Sequence, residues 1–424
     1  MNKIVSILLI CCLFACGTGS DVPAPPSLKL AKDIQKINFF LDASASMEGY
    51  IKGATNFSKI IPSLLVNIEN KIEFKGKSIS ISFVADSIIP YKKSTKDFIN
   101  DLATTVIAKD NSSEMNKMIE MVTDKTDVND ISLFVSDCIM SYPDKDIKAE
   151  SEINKNKAEG GLKPLIQMAF SKLNKKGICA TVYGFNSNFN EKCVYYDYQN
   201  KHNNIPPNIK RPFYIWAVGN KVLLQKFNKQ LNDLPSFKPE LSMSFGLFEE
   251  PISKFDILYK TNRIGEWEVE DNSTISDIQV TKKQSVKFAI ALDLSPLPEY
   301  AKDANYIKSK LQIEKKECVA NVFEVKKIES SDVSKAAPKE KEYLEKATHI
   351  ITFELTDLYK KGSITASMPL QYDLSYREWS TMDDKNVSSI SGKTFAFQFL
   401  IDGVRDSYEN NNAKFISFSV NLNK

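Results

Sequence analysis

Between residues 37 and 234, short apolar runs alternate with longer stretches whose apolar residues recur at helical spacing. Residues 37–41, 78–84, 131–136, 178–185 and 213–218 read as strands. Residues 57–72, 96–107, 114–122, 162–173 and 221–231 read as helices. This alternation predicts an α/β fold, a mostly parallel central sheet flanked by helices. From Ser236 onward the texture changes. Residues 285–292 and 414–422 alternate apolar and polar positions, and 306–325 and 349–355 are further strand candidates. A β-rich, sandwich-like C-terminal domain is expected there, interrupted by a helix over 395–408. The charge run 339–346 reads as a solvated insertion.

The first residues have a different pattern. Lys3 precedes a short apolar run that ends near Leu13, too short to span a bilayer. Leu13-Phe14-Ala15-Cys16 resembles a bacterial lipobox. The resemblance implies a signal peptide over 1–15, lipid on Cys16 and a stable membrane anchor. Gly17, not an aspartate, follows Cys16, which implies an envelope location at the outer membrane. Residues 16–35, rich in Pro, Gly and Ser, form a tether. The α/β domain then occupies 36–235 and the β-rich domain 236–424.

Composition narrows the chemistry. A formal net charge of +3 with no dense basic patch gives no footprint for nucleic acid. Two histidines and no CxxC make a zinc site improbable on composition alone. Cys179 and Cys193 are candidates for a disulfide or for two buried thiols. The aromatic run Tyr195-Tyr196-Asp197-Tyr198 fits a loop packed on its domain better than an exposed binding strip.

The candidate site lies where strands end. Asp42, Ser44 and Ser46 follow the first strand at alternate positions, and Asp137 follows the strand at 131–136. Asp110-Asn111-Ser112-Ser113 precedes a predicted helix. Ligands of open α/β sheets bind beyond the carboxyl ends of strands. Two carboxylates with hydroxyls form an all-oxygen donor set, suited to Mg²⁺, Mn²⁺ or Ca²⁺. Each feature also has an ordinary structural explanation, as a turn or helix cap.

On these residues the stretch 36–234 resembles the von Willebrand factor type A domain, a Rossmann-like fold with a metal-ion-dependent adhesion site. The resemblance implies that Asp42, Ser44 and Ser46 form the first loop, Ser113 (or Ser112) the second and Asp137 the third around one divalent cation. It further implies a protein partner that offers an acidic side chain to the ion. Ala45 and Cys138 stand where the family has glycine.

Two other classes compete. A metal-independent envelope scaffold would keep the fold without the ion. A hydrolase would need a nucleophile, but Ser44 stands where a haloacid-dehalogenase-like phosphatase has its second acid, and no GxSxG or P-loop is present. The chain is therefore expected to bind rather than catalyse.

Overall fold

The computed structural model describes residues 32–424 except 103, 105–113, 143, 249 and 282. The signal segment, Cys16, Ser112 and Ser113 lie outside the described residues, as does all but the end of the tether.

Seven strands form the first sheet: β1 (Lys36–Asp42), β2 (Ser80–Val84), β3 (Ile88–Pro90), β4 (Asp130–Ser136), β5 (Ile178–Asn188), β6 (Lys210–Asn220) and β7 (Leu241–Phe245). Their spatial order is β3-β2-β1-β4-β6-β5-β7. β1 is central and buried from Ile37 onward, which explains its unbroken apolar run. It is parallel to β2 and to β4.

The sheet is mixed, not mostly parallel. β3 is antiparallel to β2, and β6 is antiparallel to both β4 and β5. β7 is antiparallel to β5. A parallel return needs a crossover, usually a helix. The connection from β5 to β6 contains only a small ribbon, Val194–Tyr196 with His202–Asn204. β6 therefore returns antiparallel and inserts between β4 and β5.

Helices α1 (Asn56–Lys71), α2 (Thr95–Leu102), α3 (Met115–Asp124), α4 (Lys163–Asn174) and α5 (Lys221–Asn232) flank this sheet. Phe57, Ile61 and Leu65 of α1 share one core with Leu224 and Phe227 of α5. Met118 and Ile119 of α3 share a second core with Ile166 and Phe170 of α4. α1 starts with a reciprocal cap: the Thr55 hydroxyl accepts from the Ser58 N–H, and the Ser58 hydroxyl accepts from the Thr55 N–H, each at 3.0 Å.

The remainder is β-rich. It contains β8 (Asp256–Leu258), β9 (Glu266–Val269), β10 (Thr274–Gln279), β11 (Val286–Leu292), β12 (Gln312–Lys327), β13 (His349–Pro369) and β14 (Lys414–Leu422). These strands join one sheet, ordered β8-β11-β13-β14-β10-β9, with β12 also on β13. The early part of β13 pairs with β11 and its later part with β14. Phe353 of β13 and Phe418 of β14 meet edge to face at 6.4 Å in the shared core.

Two stretches differ from their sequence pattern. Residues 306–325 split into α6 (Ala304–Lys310) and β12, because Asp303 caps the helix by accepting from the Tyr306 N–H at 2.8 Å. The charge run forms α7 (Pro338–Lys346), and it is not wholly solvated. Glu340 is buried, accepting from the N–H groups of Lys260 and Thr261 at 2.6 and 3.2 Å and from the Thr261 hydroxyl at 2.9 Å.

β13 and β14 are antiparallel neighbours that meet at Pro369 and Lys414, yet residues 370–413 do not turn back directly. They cross to the first sheet, where Tyr376, Phe395, Phe397, Leu400, Ile401 and Val404 complete its second core. α8 (Phe397–Tyr408) lies on α4. The Phe397 and Tyr214 rings stack at 4.0 Å, and the Tyr408 hydroxyl donates to the Ile178 carbonyl at 2.7 Å. By its contacts this excursion belongs to the first sheet, although it lies within the stretch 236–424 that the sequence groups with the β-rich part.

Gly403 permits the close approach of α8 to α4. A Cβ there would sit 2.6 Å from the Lys163 carbonyl oxygen and 2.8 Å from Ile166 Cβ. Gly403→Val is expected to cost about 1–3 kcal/mol through overpacking, measured by urea denaturation. Met168→Ala, on the exposed side of α4, is expected to change stability by less than about 0.5 kcal/mol.

Candidate functional site

β1, β2 and β4 run parallel, so their carboxyl ends form one edge. Asp42 ends β1, and Asp137 immediately follows β4. Asp42, Ser44, Ser46 and Asp137 are thus brought to the same edge, and all four are buried. Ser113 cannot be placed, being outside the described residues.

The first loop is organised by Asp42. Its Oδ1 accepts from the Ser44 N–H at 2.8 Å, and its Oδ2 accepts from the Ser136 hydroxyl at 2.6 Å. Both oxygens act as acceptors, as in an ionised carboxylate. The Ser44 and Ser46 hydroxyls are 3.0 Å apart. After Ser44 the chain turns helical through Ala45–Met47 and Glu48–Ile51. The Tyr50 hydroxyl donates to the Pro212 carbonyl at 2.7 Å and ties this loop to β6. Gly49 makes room for the Phe189 ring, since a Cβ there would be 2.0 Å from Phe189 Cζ.

The third loop keeps a glycine-like path without glycine. Cys138 has φ of +57°, in the left-handed region. Its N–H donates to the Ser136 hydroxyl at 2.8 Å, and the Trp216 indole N–H donates to its sulfur at 3.3 Å. Burial pushes the Cys138 thiol well above its ordinary range. Cys138 is thus held in this conformation as a buried thiol anchored on β6.

Asp137 is the unusual member. Its Oδ1 accepts from the Ile139 N–H at 3.0 Å, whereas its Oδ2 is buried with no hydrogen-bond partner among the described residues. Burial, and then the Asp42 charge, raise its pKa to about 7, against the opposing pull of the Ile139 N–H, Ser46 and Arg211. Burial likewise raises Asp42, although the Ser136 and Ser44 hydrogen bonds oppose it. Two neighbouring carboxylates with adjacent hydroxyls form a hard, oxygen-only donor set. Among the described residues, no three His, Cys, Asp or Glu side chains form a metal-holding group. The donor set here instead combines two carboxylates with serine hydroxyls.

The sequence does not identify three of the residues that complete this edge. Ser136 is an unremarkable strand residue until it bonds Asp42. Arg211 arrives because β6 is antiparallel: Tyr214 pairs with Ser136, so the start of β6 lies at the end of β4. Arg211 is fully buried and donates to the Ile390 and Lys393 carbonyls at 3.1 and 2.7 Å. Thr394, from the long excursion, donates to the Asp137 carbonyl at 3.4 Å. One signal for Arg211 was present: it is one of only four arginines in the chain and directly precedes an apolar strand run.

Cys179 and Cys193 are not joined by a disulfide; the Cys179 thiol donates to the Gly246 carbonyl at 3.1 Å. Tyr195 and Tyr198 are buried, so the aromatic run packs on its domain. No helix among the described residues is long and apolar enough to cross a membrane. Compared with known proteins, the chain matches no family model, no curated protein and no solved structure.

The raised Asp137 pKa has a signed consequence. The folded chain holds this proton up to about pH 7, whereas the unfolded carboxyl releases it near 3.8. Metal-free stability therefore falls as pH rises between those values. Asp137→Asn is expected to stabilise the metal-free chain by about 1–3 kcal/mol at pH 8, to change little at pH 4 and to flatten the pH dependence. Thermal denaturation across that range checks this.

Proposed function

We propose that this chain is a membrane-anchored binding protein whose α/β part holds a divalent cation at Asp42, Ser44, Ser46 and Asp137. Ser113 is a fifth donor in this reading, and the ion is Mg²⁺, or Mn²⁺ or Ca²⁺ in its place. The observation that carries it is the buried Asp137 Oδ2, without a partner among the described residues, beside a second carboxylate and two hydroxyls. A protein seldom leaves a buried carboxylate oxygen unpaired, because the desolvation cost is not recovered. A hard cation would satisfy that oxygen and both negative charges together.

The residues divide the work. Ser136 and the Ser44 N–H hold the Asp42 carboxylate in one orientation. The Ile139 N–H fixes one oxygen of Asp137 and leaves the other available. The two serine hydroxyls add neutral donors, so the set contributes only two negative charges. When bound, the ion supplies positive charge that an acidic side chain of a protein partner can complete. This reading extends the resemblance to von Willebrand factor type A domains, with lipid on Cys16 as the attachment to a bacterial envelope membrane. We assign it no catalytic role and no nucleic-acid partner.

One observation favours a second reading, a metal-independent scaffold. The donors are almost wholly buried, and Arg211 already provides a cation on the same edge. Calorimetric titration of Mg²⁺ and Mn²⁺ into the full-length chain separates the two. The metal reading predicts one site in the parent and at least a 100-fold loss of affinity in Asp42→Ala. Absence of binding in both would leave the scaffold.

A further inference from the structure

The candidate donors interact electrostatically with further buried charges. Arg211 and Asp384 are both fully buried. The Arg211 Nη2 donates to the Tyr195 hydroxyl at 3.2 Å, and that hydroxyl donates in turn to Asp384 Oδ2. Asp384 Oδ1 accepts from the Tyr198 N–H at 2.8 Å, so both of its oxygens accept; burial raises its pKa, against the pull of the Tyr195 and Tyr198 hydrogen bonds and of Arg211. The Arg211 guanidinium also lies over the Tyr195 ring, 4.5 Å from its centroid. Its Nε is buried with no hydrogen-bond partner among the described residues.

Four buried charges interact here: Arg211 with both Asp137 and Asp384, and Asp137 with Asp42. Three are acids and one is a guanidinium that stays protonated at any ordinary pH. Asp197 also acts on Asp384, but its own loop satisfies it through the N–H groups of Gln199 and Lys201 at 2.9 and 3.0 Å and the Asn203 amide at 3.2 Å. Charges in such a dry interior act on one another over several ångströms with little screening. A cation at Asp42 and Asp137 is repelled by Arg211, and Asp384 offsets that repulsion.

We propose that Asp384 and Arg211 are remote determinants of divalent-cation affinity at the Asp42–Asp137 site, acting in opposite directions. This rests on the metal reading above and adds its electrostatic control. Arg211 is the resident counter-charge that lets the two carboxylates coexist without metal. Asp384, supplied by the excursion from the β-rich part, balances Arg211 so that it does not exclude the ion. Neither residue is a ligand.

The test uses the full-length chain at pH 8, with Mg²⁺ and Mn²⁺ affinities measured by calorimetry and folding checked by near-ultraviolet circular dichroism. Asp384→Asn keeps an acceptor for Tyr195 but loses the charge, and is expected to weaken binding about tenfold. Arg211→Gln is expected to strengthen binding by a similar factor while lowering the thermal midpoint of the metal-free chain. Arg211→Lys restores the charge without the guanidinium fork and should return the affinity toward the parent value. A merely structural role predicts that Asp384→Asn and Arg211→Gln both weaken binding. Shifts in the same direction, or no shift in folded variants of a parent that binds, overturn the inference and leave the site intact. If the parent itself binds neither ion, the site reading fails and this inference fails with it. Should Arg211→Gln not fold, Asp384→Asn against Arg211→Lys decides: a loss in the first with near-parent affinity in the second supports the proposal, and equal losses overturn it.

Discussion

Asp42 and Asp137 occupy the ends of adjacent parallel strands out of contact with water, and the architecture of the first sheet has to accommodate that pair. An isolated buried carboxylate carries a desolvation penalty of several kcal/mol. Asp42 avoids much of it through the Ser136 hydroxyl and the Ser44 N–H. Asp137 does not, since one oxygen is left without a partner among the described residues. The raised pKa of Asp137 expresses the same imbalance, dominated by burial and then by the neighbouring Asp42 charge. Every nearby device supplies partial positive charge or fixes a loop around the pair: the Ile139 N–H, the anchored Cys138 and buried Arg211.

The topology makes this arrangement possible. With β6 parallel, its first residues would lie at the opposite edge of the sheet and Arg211 would be far from Asp137. Because β6 is antiparallel, its opening residues reach the carboxyl end of β4. The same edge is then closed by residues 370–413, inserted between two neighbouring strands of the β-rich sheet. Stacking of Phe397 on Tyr214 and the bonds from Arg211 to the Ile390 and Lys393 carbonyls join the two parts of the chain at the site itself.

Local patterning made most elements legible. The apolar run of β1, the stripe of α1 and the strict alternation of β14 appear within a residue or two of where periodicity puts them. Asp42, Ser44, Ser46 and Asp137 were legible because strand ends are visible in sequence and the donors sit directly on them. Strand direction was not, because periodicity carries no information about whether a connection crosses over. Arg211, Asp384 and Thr394 were missed for that reason: their proximity depends on an antiparallel insertion and on a return from 179 to 257 residues away along the chain. Glu340 illustrates the opposite error. Within a run of charges it looks solvated, yet it is the buried acceptor for the turn at Lys260 and Thr261.

The most direct test of the account is crystallographic: anomalous diffraction from crystals of the chain grown with millimolar Mn²⁺. The account predicts one strong peak bounded by Asp42, Ser44, Ser46 and Asp137, with Asp137 Oδ2 and the serine hydroxyls about 2.0–2.6 Å from it. No peak at that position, with Asp137 Oδ2 bonded instead to Arg211 or to water, would contradict the central claim that this buried pair of carboxylates exists to hold a divalent ion.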